Sequence, residues 1–180
     1  AKSVIDNKIK LDENINDYLD IKFKNNFSIS FKSLANHTSG LPRMPSNFEQ
    51  EAYSSDNPYK HYNDKYLKDY LKNFMEIDDK NIGNSEYSNL GMGLLGFTLS
   101  NIYNLNYEEL YQKYIFSKHN MKNTTFNINL VNEKLVKGLD IEGNYTSNWE
   151  LASLSSAGGI LSNVEDLAKY GIAHFNKSNL

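Results

Sequence analysis

The chain has 180 residues, 39% hydrophobic and 13% aromatic, which suffices for one folded domain with a real core and argues against disorder. A net charge of −3 with no run of like charge excludes the basic footprint of a nucleic-acid-binding protein. Cysteine is absent, which excludes disulfides, thiolate metal sites and cysteine nucleophiles together, and no apolar run approaches the ~18 residues of a membrane span.

Residues 1–10 read as the tail of a helix, with Val4, Ile5 and Ile9 on one face. Residues 1–20 are charged throughout and hold no signal-peptide core. Asp12 is placed to cap a short turn over Glu13–Leu19, with Ile15, Tyr18 and Leu19 inward. Phe27, Ile29 and Phe31 alternate with polar residues as in a short strand, although Ser30 can equally cap a helical turn through Leu34. Gly40 and Pro42 stop the chain. Residues 42–61, with Pro42, Pro45 and Pro58, form a loop that is the best candidate for the wall of a substrate pocket.

Asn63 then caps an amphipathic helix to about Met75, with Tyr66, Leu67, Tyr70, Leu71 and Phe74 on its apolar face. Residues 89–103 are apolar nearly all round, as a central buried helix should be. Gly91, Gly93 and Gly96 each cost such a helix roughly 1 kcal/mol relative to Ala, a cost tolerated where neighbours approach closely. Asn106 with Glu109 makes a capping box for 107–118, with Leu110, Tyr111, Tyr114 and Ile115 inward. Ser162 with Glu165 repeats the device for 163–175, whose stripe is Val164, Leu167, Ala168, Gly171 and Phe175.

Three segments hold groups that can do chemistry: His37-Thr38-Ser39-Gly40-Leu41-Pro42, then Tyr87-Ser88-Asn89 with Leu90-Gly91-Met92-Gly93-Leu94-Leu95-Gly96, then Ser156-Ala157-Gly158-Gly159-Ile160-Leu161-Ser162. Tyr-x-Asn alone carries little weight in a chain so rich in Tyr and Asn, and a helix-opening turn explains Ser88 and Asn89 equally well. Its context gives it meaning. His37 and Ser39 lie two apart on one loop with no acid to orient the histidine, which argues against a Ser-His dyad. His37, His61, His119 and His174 show no ligand spacing, so no metal is expected, and Gly158-Gly159 is not followed by the lysine of a phosphate loop. No cofactor is implied.

Together these segments resemble the serine β-lactamase-like hydrolases, the superfamily of class C β-lactamases, D-alanyl-D-alanine carboxypeptidases and related esterases. His37–Pro42 matches that family's His-Thr-Ser-Gly-Leu-Pro almost letter for letter, and Trp149 to Tyr170 is similar to its Trp…Ala-Gly-Gly-Leu-x-Ser-Thr-x-x-Asp-Leu segment. Asn7-Lys8-Ile9-Lys10-Leu11-Asp12 through Tyr18-Leu19 is similar to the stretch that ends the family's nucleophile-bearing helix. Departures are modest: Ile82-Gly83 replaces Pro-Gly, and His119-Asn120-Met121 replaces Leu-Gly-Met.

The resemblance implies a mainly α span, the helical portion of the α+β serine β-lactamase/DD-peptidase fold. It divides into 1–42, 43–140 and 141–180. It implies that Tyr87 is catalytic, helping to move the nucleophile's proton beside a lysine, and that Asn89 binds the substrate amide. An adjacent ammonium favours phenolate, and an amide side chain offers both a donor and an acceptor. No serine here has a lysine three positions later, and no Lys-Thr-Gly, Lys-Ser-Gly or His-x-Gly occurs. The resemblance therefore places the nucleophile ahead of Ala1 and the C-terminal strands after Leu180.

The expectation is a portion of a serine hydrolase acting on a β-lactam, a D-Ala peptide or an ester, inactive alone. The parent would be exported and bacterial, and an apolar face left by missing strands would favour self-association or a partner chain. A non-catalytic binding module of the same fold and a helical interaction domain are the alternatives.

Overall fold

The computed structural model describes residues 1–48 and 54–175. Among the described residues the chain is mainly α, as the resemblance implies, with one two-stranded sheet in addition. It divides into two compact units. Unit 1 comprises 1–104 and 137–159, and unit 2 comprises 105–136 and 160–180. Among the described residues no helix is long and apolar enough to cross a membrane.

Unit 1 is built around its longest helix. Its first helix, α1, spans Lys2–Ile5, so the helical part of 1–10 ends sooner than the sequence suggests. Asn7 takes a left-handed φ of 53°, and the Lys8 amide reaches back to the Ser3 carbonyl, which closes the helix early. Ile5 is consequently exposed, while Ile9 reaches the core. The next turn, Ile15–Tyr18, is capped by Asn14 and not Asp12, because the Asn14 side-chain Oδ1 accepts from the Asn16 backbone amide at 3.1 Å. Ile15 and Leu19 are buried, and Tyr18 meets Phe31 edge-on at 5.2 Å. Ser30 caps α2, Phe31–Ala35, so the helical alternative holds there, and the strand-like character of 27–31 is limited to one bridge between Asn14 and Ser30.

Asn63 caps α3, Asp64–Asp69, which widens into a π-helical turn over Tyr70–Phe74. Leu67, Tyr70, Leu71 and Met75 are buried from this element. Burial pushes the Tyr70 hydroxyl up to about 12 and the Tyr62 hydroxyl up as well, so both phenols stay protonated inside the core. Helix α4, Asn89–Tyr103, lies in the middle with Leu90, Leu94, Phe97 and Thr98 buried. Gly93 matches the close-approach expectation: a Cβ there would lie 2.5 Å from Leu154 Cδ2 and 3.3 Å from Leu154 Cα.

In unit 2, α5 (Tyr107–Tyr111) carries the full capping box of Asn106 and Glu109 and continues as a π-helical turn over Gln112–Phe116. The hairpin β1 (Gly138–Leu139) and β2 (Tyr145–Thr146) and the turn α6 (Ser155–Gly158) belong to unit 1. The last helix of unit 2, α7, spans Val164–Ala173 and corrects two expectations. Its cap is Asn163, accepting from the Asp166 amide at 2.9 Å, so Ser162 and Glu165 form no box. The side turned inward carries Asp166 and Ala173, because the Asp166 carboxylate accepts from the Asn123 amide at 2.7 Å, Thr124 Oγ1 at 3.0 Å and Lys169 Nζ at 2.6 Å. The predicted stripe is left facing outward: Val164 is 79% exposed, Leu167 56% and Phe175 88%.

Candidate functional site

The loop 37–43 and the start of α4 are stitched together residue by residue. Gly83 N donates to Thr38 O at 2.9 Å, Glu86 N to His37 O at 2.9 Å, and Leu90 N to Arg43 O at 3.1 Å. Ser39 pairs with Ile82 as a one-residue antiparallel bridge, and Asp78 N donates to Gly40 O at 3.0 Å. Gly40 makes this register possible. Its φ is +75°, and a Cβ there would fall 2.8 Å from Ile77 Cγ2 and 2.9 Å from the Asp78 carbonyl oxygen.

Ser88 is the pin between loop and helix. Fully buried, it donates through Oγ to the Pro42 carbonyl at 2.7 Å and accepts from Gly91 N at 2.8 Å, which makes it the N-cap of α4. Its own amide donates to His37 Nδ1 at 3.2 Å. An amide can only donate, so His37 Nδ1 is an acceptor and is committed to Ser88. Ser39 is buried, and its hydroxyl oxygen accepts from Leu41 N at 3.4 Å. Neither residue is arranged for a Ser-His dyad.

Fixing Ser88 presents its two neighbours to solvent. Tyr87 is half exposed, its ring centroid 4.9 Å from that of His37 and 5.1 Å from the Arg43 guanidinium carbon. Its hydroxyl has no hydrogen-bond partner among the described residues. Asn89 is half-buried at the first position of α4, and its side chain makes one weak contact, Nδ2 to Met44 Sδ at 3.7 Å. The two residues singled out in the sequence thus flank Ser88 and are ordered through its backbone, with the Tyr87 hydroxyl unpartnered among the described residues and the Asn89 amide held only by the weak contact to Met44.

Arg43 and Met44 were not singled out in the sequence. Arg43 is the only arginine of the chain and follows the Leu-Pro turn directly, which is the signal that could have drawn attention to it. The Gly-Gly segment contributes through Ser156, whose hydroxyl donates to Met92 O of α4 at 2.9 Å. No group of three His, Asp or Glu among the described residues is placed to hold a metal ion.

A family model, Beta-lactamase, matches residues 1–180. The chain belongs to the beta-lactamase family. It is 32% identical over 180 residues to beta-lactamase-like protein 4 of Dictyostelium discoideum, covering 88% of this chain and 30% of that protein. It is 29% identical over 156 residues to beta-lactamase-like protein 2 of the same organism, covering 84% and 27%. These relatives are not bacterial, so they lend no support to the expectation of a bacterial parent.

Among solved structures, the beta-lactamase/D-alanine carboxypeptidase from Pseudomonas syringae matches with a TM-score of 0.75 at 20% identity, over 97% of this chain and 46% of that one. The octameric penicillin-binding protein homologue from Pyrococcus abyssi gives 0.71 at 23% identity, over 99% and 42%. This chain of the beta-lactamase family therefore has a serine-hydrolase-type fold and spans less than half the length of these proteins.

Proposed function

We propose that this chain supplies the amide-binding and proton-handling side of a serine hydrolase site that works through an acyl-enzyme on an amide or ester: a β-lactam, a D-Ala peptide or a simple ester. Tyr87 relays the proton of the attacking hydroxyl, and Asn89 holds the substrate amide through its donor and acceptor. The observation that supports this reading is that the Tyr87 hydroxyl has no hydrogen-bond partner among the described residues and the Asn89 amide only a weak contact to Met44 Sδ, while the backbone between them is pinned by buried Ser88. A turn serving only to start a helix has no need to leave a tyrosine hydroxyl without a partner beside an asparagine amide held by one weak contact to sulfur.

The nucleophile is not one of this chain's serines, since none stands in Ser-x-x-Lys. The chain alone should therefore take up no label from a fluorescent penicillin or a fluorophosphonate, as measured by intact mass. Stoichiometric labelling would overturn the placement of the nucleophile outside these residues.

The outward stripe of α7 favours a second element of the reading, association of this chain with a copy of itself or with a partner chain through that face. Light scattering over a concentration series should show self-association, and Leu167→Lys should abolish it. A monomer at every concentration that binds no apolar dye would contradict it.

A further inference from the structure

The backbone of Tyr87 is held on both sides by one residue. His37 O accepts from Glu86 N at 2.9 Å, and His37 Nδ1 accepts from Ser88 N at 3.2 Å. These bonds fix where the Tyr87 side chain begins and leave open which way it points. The hydroxyl does not decide its direction, since it has no hydrogen-bond partner among the described residues, and the residue is half exposed. The ring itself must be held. Among the described residues its aromatic and cationic neighbours are the His37 ring at 4.9 Å and the Arg43 guanidinium at 5.1 Å.

The loop sets Arg43 against that ring. The Arg43 carbonyl accepts from Leu90 N at 3.1 Å, and the Pro42 carbonyl before it accepts from Ser88 Oγ at 2.7 Å, so its Cα is fixed in the same frame as Tyr87. The side chain is exposed and forms no ion pair among the described residues, so no carboxylate there draws it off the ring. Of the 19 basic residues it is the one arginine. A chain that uses lysine at every other basic position thus has arginine where a cation lies over a tyrosine ring. The two are not equivalent there: a guanidinium is planar, weakly hydrated and stacks on aromatic faces, whereas an ammonium is compact and strongly hydrated on a flexible stem.

We propose that Arg43 is a positioning residue for Tyr87: its guanidinium, together with the His37 ring, holds the phenol in one orientation so that the hydroxyl is aimed before substrate arrives. The proposal rests on the reading of Tyr87 as the proton relay. Arg43 acts through the tyrosine and needs no contact with substrate. A relay demands a fixed hydroxyl, because proton transfer requires hydrogen-bond reach and a small misplacement of a reacting group costs rate steeply.

The chain itself gives the first readout. With the tyrosine rings isotope-labelled and the Tyr87 signal assigned through Tyr87→Phe, the NMR order parameter of the Tyr87 ring should fall in Arg43→Lys, while those of buried Tyr62 and Tyr70 stay unchanged. An unchanged Tyr87 ring would overturn the proposal. The second readout is the acylation rate of a longer protein that joins this chain to a Ser-x-x-Lys segment. Arg43→Lys should slow acylation about fivefold on an amide and an ester alike, the rate equivalent of an exposed cation–π contact, with apparent substrate affinity unchanged. In a Tyr87→Phe background, where no hydroxyl remains to be aimed, the same substitution should have no further effect. A merely structural role would slow both backgrounds equally, and a role in holding an anionic substrate group would weaken affinity; either result would overturn the proposal. If Tyr87→Phe slows acylation and Arg43→Lys does not, the positioning role fails and the relay reading stands. If Tyr87→Phe acylates at the parental rate, the relay reading fails and takes the positioning role with it.

Discussion

Replacing Gly40 by alanine tests whether the loop 37–43 truly sets the position of Tyr87. Two costs add at this position. An L-residue held at φ +75° costs about 1–2 kcal/mol. The new Cβ also meets Ile77 Cγ2 at 2.8 Å, Asp78 O at 2.9 Å and Ile82 Cγ1 at 3.0 Å, and overpacking of this kind costs about 1–3 kcal/mol. The side chains can give way, but the Asp78 carbonyl is backbone, and Asp78 N is also bonded to Gly40 O. The total of about 2–5 kcal/mol is a large part of the ~5–15 kcal/mol that holds a domain together.

Gly83 supplies the control. It has nearly the same φ, +83°, and nothing lies within 4 Å of where its Cβ would stand, so Gly83→Ala should cost only the conformational share, about 1–2 kcal/mol. Urea unfolding followed by far-ultraviolet circular dichroism reads both variants. Equal losses would mean that Gly40 is not pressed against 77–82 and that the loop does not grip the segment leading to Tyr87.

Further outcomes follow from other contacts. Ser88→Ala removes the α4 cap and one of the bonds joining helix to loop, and should cost about 1–3 kcal/mol in the same urea assay. A loss below a few tenths would show that the Ser88 pin is not formed. Burial alone would raise the pKa of Asp166, but Lys169, the Asn123 amide and the Thr124 hydroxyl outweigh it and hold the carboxyl below its usual value. A carboxyl with a lowered folded-state value adds stability that is complete above its unfolded value of about 3.9 and is lost as pH falls through the lower, folded one. The Asn123 amide resonance should therefore stay unchanged down to about pH 4 and shift only below it. A transition near neutral pH would contradict this assignment.

Much of the fold was legible because it rests on local signals. Asn63, Asn106 and Glu109 announce their helices through hydrogen bonds made within one turn, and the all-round apolar run of 89–103 requires a buried helix whatever its neighbours. Misreadings occurred where a competing local bond or a distant one decided. Asn14 and Asn163 captured the caps assigned to Asp12 and Ser162, since each lies one or two residues along and reaches the free amides better.

The inward side of α7 was decided by Asn123 and Thr124, some forty positions away in the chain, whose donors draw in Asp166 at the expense of the apolar stripe. At the site, Tyr87 and Asn89 could be named from their motif. Their supports could not: His37 as an acceptor for Ser88 and Arg43 over the Tyr87 ring join residues distant in sequence, where no periodicity or spacing marks the pair.

The most direct test of the central claim is the acylation rate of a longer protein that joins this chain to a Ser-x-x-Lys segment, compared between the parent, Tyr87→Phe and Asn89→Ala on one amide and one ester. Tyr87→Phe removes a single half-exposed hydroxyl, so folding should be nearly unaffected, while acylation by both substrates should fall about 10²–10⁴-fold. Asn89→Ala should slow the amide more than the ester, which lacks the group Asn89 binds. Acylation of Tyr87→Phe at the parental rate would contradict the account and reduce Tyr87-Ser88-Asn89 to a turn that opens a helix.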